Sequence, residues 1–238
     1  MGAMYKYKKE SETTYCIGTT LTIEALSFVP EKMKKVYISP KQKKDQTFDK
    51  VVSLAKKDGV PVILNNEKIF KEVSGKDNCM VLGEFEKFSS PLDPDKNHVV
   101  LVNPSNQGNL GTILRSCFGF YQQDIALITP CADPFDPKTV RASMGALFHL
   151  RIEFFPGFSS YQARFPEHHL HPFMLQAEKF LKDADKTGPW SLVFGNEATG
   201  LDHSFLNVGE SLLIPQNSAL DSLNLDNAVS IGLYEFCR

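Results

Sequence analysis

The sequence predicts an α/β protein in two parts, the second of which is larger and carries a mostly parallel β-sheet. Along most of the 238 residues, short apolar stretches typical of buried strands alternate with amphipathic stretches typical of helices. This alternation breaks at 89–95, where two prolines, two serines and two aspartates lie close together, and then starts again. Strands that are separated by helices favour a parallel sheet covered on both faces.

The first part is predicted to be a small α/β unit. Its elements are, in chain order, a helix at 20–27, a strand at 36–39, a helix at 47–57, a strand at 60–64, a helix at 66–73 and a strand at 79–85. Gly59 lies just after the second helix, where a left-handed residue commonly ends a helix. We therefore predict a domain at 14–88, followed by a linker at 89–97.

The second part, at 98–238, is predicted to hold the parallel sheet. Its elements are, in chain order, a strand at 98–102, a helix at 110–118, a strand at 125–129, a helix at 137–144, a strand at 150–155, a helix at 177–183, strands at 191–194 and 211–214, and a helix at 225–236. Prolines and glycines at 156–172 interrupt any regular pattern, so no element is predicted there.

Composition narrows the classes of function. No run of 18 apolar residues predicts a transmembrane helix, and the polar, lysine-rich start of the chain is unlike a signal peptide, so we expect no membrane partner. The five cysteines have no zinc-site spacing, and the six histidines form no HExxH pattern. We therefore expect reduced thiols in a cytoplasmic protein that binds no metal.

Charge is unevenly distributed, although the formal net charge is only −2. Residues 1–88 hold sixteen lysines, no arginine and twelve acidic residues, whereas the remainder holds ten basic and sixteen acidic residues. The densest basic stretch consists of Lys32, Lys34, Lys35, Lys41, Lys43 and Lys44. Such a stretch can neutralise the phosphates of a nucleic acid, but an ordinary solvated face is the better interpretation of the charge alone.

An informative loop follows the predicted strand at 98–102. It reads Asn-Pro-Ser-Asn-Gln-Gly-Asn-Leu-Gly at 103–111 and opens a helix, which is where open α/β sheets bind ligands. Asn109 is a candidate cap of that helix, and Arg115, nearly two turns along it, offers a planar fork of donors to a phosphate. The spacing matches neither the dinucleotide-binding pattern nor the P-loop, so a capped helix with a surface arginine is an equal alternative.

Two later loops also follow predicted strands. One reads Gly-Asn-Glu-Ala-Thr-Gly-Leu at 195–201 and places a carboxylate between glycines. The other begins with Ile-Pro-Gln at 214–216 and reaches the last helix through Ser-Leu-Asn at 222–224, where Ser222 is a candidate cap. Each loop alone is as consistent with a turn or a cap as with a ligand site. Their shared position after strands indicates one composite pocket.

Taken together, these segments resemble the signatures of the SpoU (TrmH-like) family of RNA 2′-O-ribose methyltransferases. The resemblance covers about 98–236 and rests on four segments in order: 106–115, the Val-Arg-Ala-Ser-Met-Gly-Ala-Leu-Phe stretch at 140–148, 195–201, and 214–215 with 222–224. Residues 15–88 look like the small substrate-binding domain that often precedes the catalytic domain. The chain departs from the family at 225–227, where Leu-Asp-Asn replaces small or β-branched residues, and at Gln216, which is often methionine.

The resemblance implies a C-terminal trefoil knot, S-adenosylmethionine as the cofactor, a homodimer and an RNA substrate. The implied catalytic residues are Asn109, Arg115, Glu197, Ser222 and Asn224. Arg115 is expected at the reacting hydroxyl and its phosphate, held by Asn109 and Glu197, and to act by orientation and electrostatics because arginine stays charged. The implied cofactor-binding residues are Gly195, Asn196, Gly200, Ile214, Pro215, Gln216, Ser222 and Leu223. The implied RNA-binding residues are the six lysines of the basic stretch and Arg141.

Two alternatives stay open from the sequence. A non-catalytic RNA-binding or assembly factor on the same scaffold is suggested by Asp226 and Asn227, since these polar residues fall in the implied pocket segment. A base-methylating knotted enzyme is the other. Ribosomal RNA is favoured over transfer RNA as the substrate, because the chain has a separate N-terminal domain and lacks the basic C-terminal extension of some members directed to transfer RNA.

Overall fold

A computed structural model describes residues 5–74 and 78–238 of the chain. In chain order its elements are β1 (Thr13–Ile17), α1 (Thr19–Phe28), β2 (Met33–Ile38), α2 (Gln46–Lys57), β3 (Val62–Leu64), α3 (Glu67–Ile69), β4 (Val81–Glu86), β5 (His98–Val102), α4 (Gln107–Gly119), β6 (Asp124–Ile128), α5 (Pro137–Ala142), β7 (Arg151–Phe155), α6 (Phe158–Arg164), β8 (His169–Pro172), β9 (Lys179–Phe180), β10 (Trp190–Phe194), β11 (Leu212–Leu213) and α7 (Leu225–Cys237). No helix within the described ranges is long and apolar enough to cross a membrane.

The chain divides into two compact units. The first comprises the described residues up to Phe88 together with Asp133–His149, and the second comprises Ser89–Ala132 together with Leu150–Arg238. Asp133–His149 packs with the first unit because the Thr14 hydroxyl donates a hydrogen bond to Phe135 O (2.5 Å) and Phe148 packs edge-on against Phe85. The domains predicted at 14–88 and 98–238 are continuous in sequence, so they place this segment in the second domain instead.

The first unit is built on a mixed four-stranded sheet in the order β1-β4-β2-β3. Strands β2 and β3 are parallel, and the other two pairs are antiparallel. Strand β1 is absent from the sequence prediction because its five residues show no alternation, and its three central side chains are all buried. Gly59 has a φ of 70°, as predicted for the residue that ends α2.

The second unit is an α/β fold whose five-stranded sheet is entirely parallel, in the order β7-β6-β5-β10-β8. The predicted α/β class with a parallel sheet is therefore confirmed, while the trefoil knot stays a prediction. Strand β5 lies between β6, which follows it directly, and β10, which follows it much later. This reversal of strand order creates a switch point, and ligands bind at the carboxyl ends of strands at such points.

Three sequence predictions differ from the second unit. The helix predicted at 177–183 is instead the short strand β9 and a 3₁₀ turn at Leu181–Asp183, because Lys179 and Phe180 pair with β11. The 156–172 stretch, which carries no predicted element, holds α6 and β8. The 89–97 linker packs on the unit, with Leu92 buried and the Ser90 amide bonded to Ile152 O at 3.0 Å.

Candidate active site

The candidate site lies where β5 and β10 end side by side. The loop after β5 leads into α4, and the loop after β10 contains Gly195–Gly200. Asn196 joins the two loops, because its Nδ2 donates a hydrogen bond of 2.7 Å to Asn103 O. The two loops that the sequence predicts to be neighbours are therefore in direct contact.

Gly195 and Gly200 make the second loop possible. A Cβ atom on Gly195 would lie 2.2 Å from the carbonyl carbon of Gly200, so no other residue fits there without a backbone shift. Gly200 itself has a φ of 66°, which favours glycine. The loop closes on itself because the Gly200 amide donates to Asn196 O at 2.9 Å, while Asn196 Oδ1 accepts from Ala198 N at 2.8 Å.

The Glu197 carboxylate lies at the centre of the site. Its Oε2 accepts hydrogen bonds from the amide and the hydroxyl of Ser105, both at 2.9 Å. Its Oε1 accepts from the Asn106 amide at 3.1 Å and from Asn109 Nδ2 at 3.4 Å. Glu197 on one strand's loop therefore fixes the start of the helix that follows the other strand.

These contacts keep Glu197 ionised. Burial alone would raise the pKa of its carboxyl group, but hydrogen bonds donated by Ser105 and Asn106 outweigh burial and hold the pKa below its ordinary value. A carboxylate that is ionised and already accepts four hydrogen bonds is suited to holding neighbouring groups in place. It is poorly suited to removing a proton.

Asn109 connects the first segment to the third. Its Nδ2 also donates to Asn224 Oδ1 at 3.2 Å, and that oxygen in turn accepts from the Leu225 amide at the start of α7. Two predicted caps are wrong. Asn106, and not Asn109, caps α4, since its Oδ1 accepts from the Asn109 amide at 3.0 Å. Asn224, and not Ser222, caps α7.

A cavity of about 320 Å³ opens beside Glu197. Of the predicted cofactor-binding residues, those that line it are Gly195, Asn196, Gly200, Ile214, Gln216, Ser222 and Leu223. Pro215 does not line it, although both of its neighbours do. Leu225 and Ala228 of α7 also line the cavity, whereas Asp226 and Asn227 between them do not. The polar residues that suggested a non-catalytic factor are therefore not part of the cavity lining.

One wall of the cavity was missed by sequence reasoning. Phe173, Met174, Leu175 and Gln176 line the cavity directly after β8. The prolines at 156–172 hide β8 in the sequence, so the segment that follows it carries no recognisable signal. Recognition in the sequence of β8, and of the turn that follows it, would have identified this wall.

Of the five predicted catalytic residues, Arg115 is the one that the structure leaves apart from the others. It is exposed on α4, does not line the cavity, and forms no hydrogen bond or ion pair with any residue at 5–74 or 78–238. The expected contacts with Asn109 and Glu197 are therefore absent. Arg115 lies next to Ser116, whose hydroxyl is 2.8 Å from Ser230 Oγ on α7.

The predicted basic stretch is divided by the structure of the first unit. Lys32 directly precedes β2 and Lys34 and Lys35 lie in its first half, whereas Lys41, Lys43 and Lys44 follow its end. Lys34 is paired with Glu86 at 2.5 Å. The six lysines are therefore divided between the first half of β2 and the segment that follows its end.

Arg141 lies at the same end of the first sheet as the second lysine group. It is exposed on α5 and near enough to Cys79 for its charge to act on that thiol. Burial raises the pKa of that thiol, and the charge of Arg141 acts in the opposite direction. The residue after Cys79 accepts a 2.9 Å hydrogen bond from the Ser39 amide, two residues before Lys41. This end of the sheet thus collects the arginine and three of the lysines.

Comparison with known proteins identifies both regions of the chain. A model of the SpoU rRNA methylase family matches residues 96–234, and a model described as RNA 2′-O ribose methyltransferase substrate binding matches residues 15–89. A crystal structure of an AdoMet-bound rRNA methyltransferase from Sinorhizobium meliloti is similar with a TM-score of 0.82 and 28% identity, covering 95% of this chain and 87% of that chain.

Two curated relatives are similar over part of their length. An uncharacterised tRNA/rRNA methyltransferase of Synechocystis is 32% identical over 152 residues, which are 63% of this chain and 56% of the relative. The 23S rRNA (uridine(2479)-2′-O)-methyltransferase of Streptomyces viridochromogenes is 30% identical over 156 residues, which are 62% of this chain and 54% of the relative. The chain thus spans about half the length of these two relatives.

Proposed function

Because the chain belongs to the SpoU rRNA methylase family, we propose that it transfers a methyl group from S-adenosylmethionine to a ribose 2′-hydroxyl of RNA. The observation that carries the proposal is the meeting of three separated segments at one cavity. Asn109, Glu197 and Asn224 come from different segments and form one hydrogen-bonded cluster beside it. Such a cluster can position a nucleophile against a bound methyl donor, and positioning is a large part of this chemistry.

The residues around the cavity fit S-adenosylmethionine. Gly195 is packed so tightly against Gly200 that its backbone, with no side chain, lines the cavity. Backbone groups of Ile214 and Leu223 are further candidates to hold the adenosine and methionine parts. The volume of the cavity is within the range of small-molecule sites. Glu197 and Asp221 place carboxylates around the lining, which suits a ligand with a positive sulfonium centre. When bound, this cofactor supplies an electrophilic methyl group.

Asn109 is the residue that we assign to the ribose. Both groups that contact its Nδ2, from Glu197 and Asn224, are oxygen acceptors, which fixes the orientation of the amide. Its Oδ1 consequently faces elsewhere and accepts no hydrogen bond from any residue in the described part of the chain. We infer that this oxygen accepts a hydrogen bond from a ribose hydroxyl and orients it.

We further propose that the active form is a homodimer. Aromatic and aliphatic side chains are exposed where α4 ends and along α7: Phe118, Tyr121, Ile231 and Tyr234. Tyr121 is 91% exposed, which is unusual for so large an aromatic side chain. Arg115 lies one turn before Phe118, so a second copy covering this face would place Arg115 at the interface. There it would contact the substrate phosphate and stabilise developing charge.

Ribosomal RNA is the substrate class that we favour. Support comes from the Streptomyces and Sinorhizobium proteins, whose names specify rRNA, and from the likeness of the latter across 95% of this chain. Arg141 and the exposed Lys41, Lys43 and Lys44, near one end of the first sheet, are candidates to bind RNA phosphates. The cysteines are free in the described structure, which fits a reducing cytoplasm. A trefoil knot at 195–224 remains part of the proposal.

Replacement of Arg115 tests the proposed function. We expect Arg115→Ala to bind S-adenosylmethionine as the wild type does and to lose at least about 100-fold in methyl transfer to ribosomal RNA, because one charged contact at a transition state is worth that much. Transfer is measured with labelled cofactor and binding by calorimetry. Arg164→Ala, on α6, is the matched control. Wild-type transfer by Arg115→Ala would contradict the assigned role.

A further inference from the structure

The wall of the cavity formed by β11 is joined to its neighbours by few backbone contacts, whereas the segment after β8 is held to β10 by the Phe173 amide, which donates to Val193 O at 2.9 Å. β11 pairs with β9 over only two residue pairs, and the Met174 amide donates to Leu212 O at 3.0 Å. Ladders this short are marginal in water. Leu212 lines the cavity, so contacts beyond this short ladder contribute to the position of the cavity wall.

Glu210, two residues before β11, supplies such contacts. Its Oε1 is paired with Lys179 Nζ on β9, and its Oε2 accepts a 3.0 Å hydrogen bond from the Asp185 amide. Its own amide donates to Leu170 O on β8 at 2.9 Å. One residue therefore ties together β8, β9 and the turn before β10.

The chain is shaped to bring Glu210 against β8. Gly209 has a φ of 80°, and a Cβ atom there would lie 2.3 Å from Leu170 O. Burial alone would raise the pKa of Glu210, but the hydrogen bonds from Lys179 and Asp185 outweigh it and lower the pKa. The carboxylate is thus charged at neutral pH.

His171 adds a contact to α7. It is 1% exposed, its ring packs edge-on against Phe236, and its Nδ1 lies 3.4 Å from Glu210 Oε2. Neither ring nitrogen forms a hydrogen bond with any residue that the structure describes. Glu210 therefore faces this buried ring with its carboxylate. Helix α7 in turn supplies Leu225 and Ala228 to the cavity.

The geometry points to Glu210 as a positioning residue for cofactor binding. It does not line the cavity, and it acts by holding the β11 wall and the segment after β8 at the distance that the cofactor needs. This inference rests on the proposed function, since it takes S-adenosylmethionine as the ligand of the cavity.

Calorimetric titration of S-adenosylmethionine into the full chain tests the role of Glu210. We expect Glu210→Gln to weaken the Kd about tenfold, the size expected for a residue that acts on a site through its neighbours. At saturating cofactor, the kcat and the KM for RNA stay within about twofold of wild type, because the RNA side of the site is untouched. Lys179→Met removes only the link to β9 and should give a smaller loss in the same direction.

Glu235→Gln is the matched control, because Glu235 pairs with Lys186 and Arg238 away from the cavity wall. It should leave the Kd unchanged. A wild-type Kd in Glu210→Gln and Lys179→Met, or an equal loss in Glu235→Gln, overturns the inference while the proposed function stands. Failure of the wild-type chain itself to bind the cofactor overturns both. If Glu210→Gln does not fold, Lys179→Met decides.

Discussion

The two ends of the five-stranded sheet carry similar polar side chains in opposite surroundings. At the carboxyl ends of β5 and β10, Glu197, Asn109 and Asn224 are partly or fully exposed beside a cavity. At the amino ends of the same two strands, His98 and Ser191 are completely buried. The same pair of strands therefore presents an open polar cluster at one end and a closed one at the other.

The closed cluster is a chain of four side chains. The His98 ring contacts Tyr161 Oη at 2.8 Å, Tyr161 contacts Ser191 Oγ at 2.6 Å, and Ser191 contacts His168 Nδ1 at 2.8 Å. Each histidine ends the chain by donating Nε2–H to a backbone carbonyl, that of Asp93 or Pro94, at 2.9 Å. Each polar side-chain atom of the cluster lies within 2.9 Å of another of its members or of a backbone carbonyl, so none is directed at a ligand site.

The polar groups at the two ends of the sheet have different roles. Buried polar groups that contact one another specify the packing of the amino end. At the carboxyl end, Glu197 binds backbone amides and holds Asn109, whose Oδ1 accepts no hydrogen bond from the described residues. Substitutions at the two ends should therefore change different quantities, namely cofactor binding and turnover at one end and stability at the other.

The largest effect is expected for Gly195→Ala. Its Cβ atom would lie 2.2 Å from the backbone of Gly200, so the loop must move, and a displacement of about 1 Å at a site costs on the order of 100-fold. Methyl transfer should fall by at least that factor, and calorimetry should show a weaker affinity for S-adenosylmethionine. Gly119→Ala, at the end of α4 with nothing within 4 Å of the new Cβ, is the control. Unchanged affinity in Gly195→Ala would refute the role of the Gly195 backbone in binding the cofactor.

Glu197→Gln should give the next largest effect. The amide loses the charge that two backbone amides and a hydroxyl now bind, and such charged hydrogen bonds are worth about 2–3 kcal/mol, or roughly 30-fold to 100-fold in rate. The kcat for methyl transfer should fall by that factor, with a thermal midpoint within a few degrees of wild type. Glu167→Gln on the surface should change neither quantity. A stability loss without a rate loss in Glu197→Gln would make the two ends of the sheet alike.

The closed end should reveal itself through pH. Burial lowers the pKa of His98 to about 4 from an ordinary 6.5, and His168 shifts in the same direction. Because the folded state disfavours the protonated form, this stabilisation is fully present above pH 6.5 and is lost as the pH falls toward 4. His98 alone accounts for about 3 kcal/mol of unfolding free energy over that interval.

Urea unfolding of the wild type and of His98→Gln between pH 7.5 and 4 measures this term. The difference between their slopes isolates His98 from the carboxylates, and His203→Gln, in an exposed position, should follow the wild type. Parallel slopes for wild type and His98→Gln would show that the amino-end cluster does not exclude charge.

Much of the site could be predicted from the sequence because its signals are local. A strand, a glycine-bounded loop and a helix start are each encoded within ten residues, and Gly195, Glu197 and Ser222 were identified in this way. The cap of α4 at Asn106 escaped prediction because two asparagines three residues apart offer the same chemistry. The segment at 173–176 escaped because its signal is tertiary: β8 is recognisable only through its pairing with β10. The position of Arg115 outside the cavity also depends on packing that no spacing encodes.

Locating the methyl group on the product RNA tests the proposed ribose methyltransferase site most directly. Unmodified ribosomal RNA is incubated with the chain and labelled S-adenosylmethionine, digested to nucleosides and analysed by mass spectrometry. We predict label on a ribose 2′-oxygen with the wild type and with His98→Gln, and little label with Glu197→Gln. Label on a base, or undiminished ribose label with Glu197→Gln, would contradict the claim that the open end of the sheet is a ribose methyltransferase site.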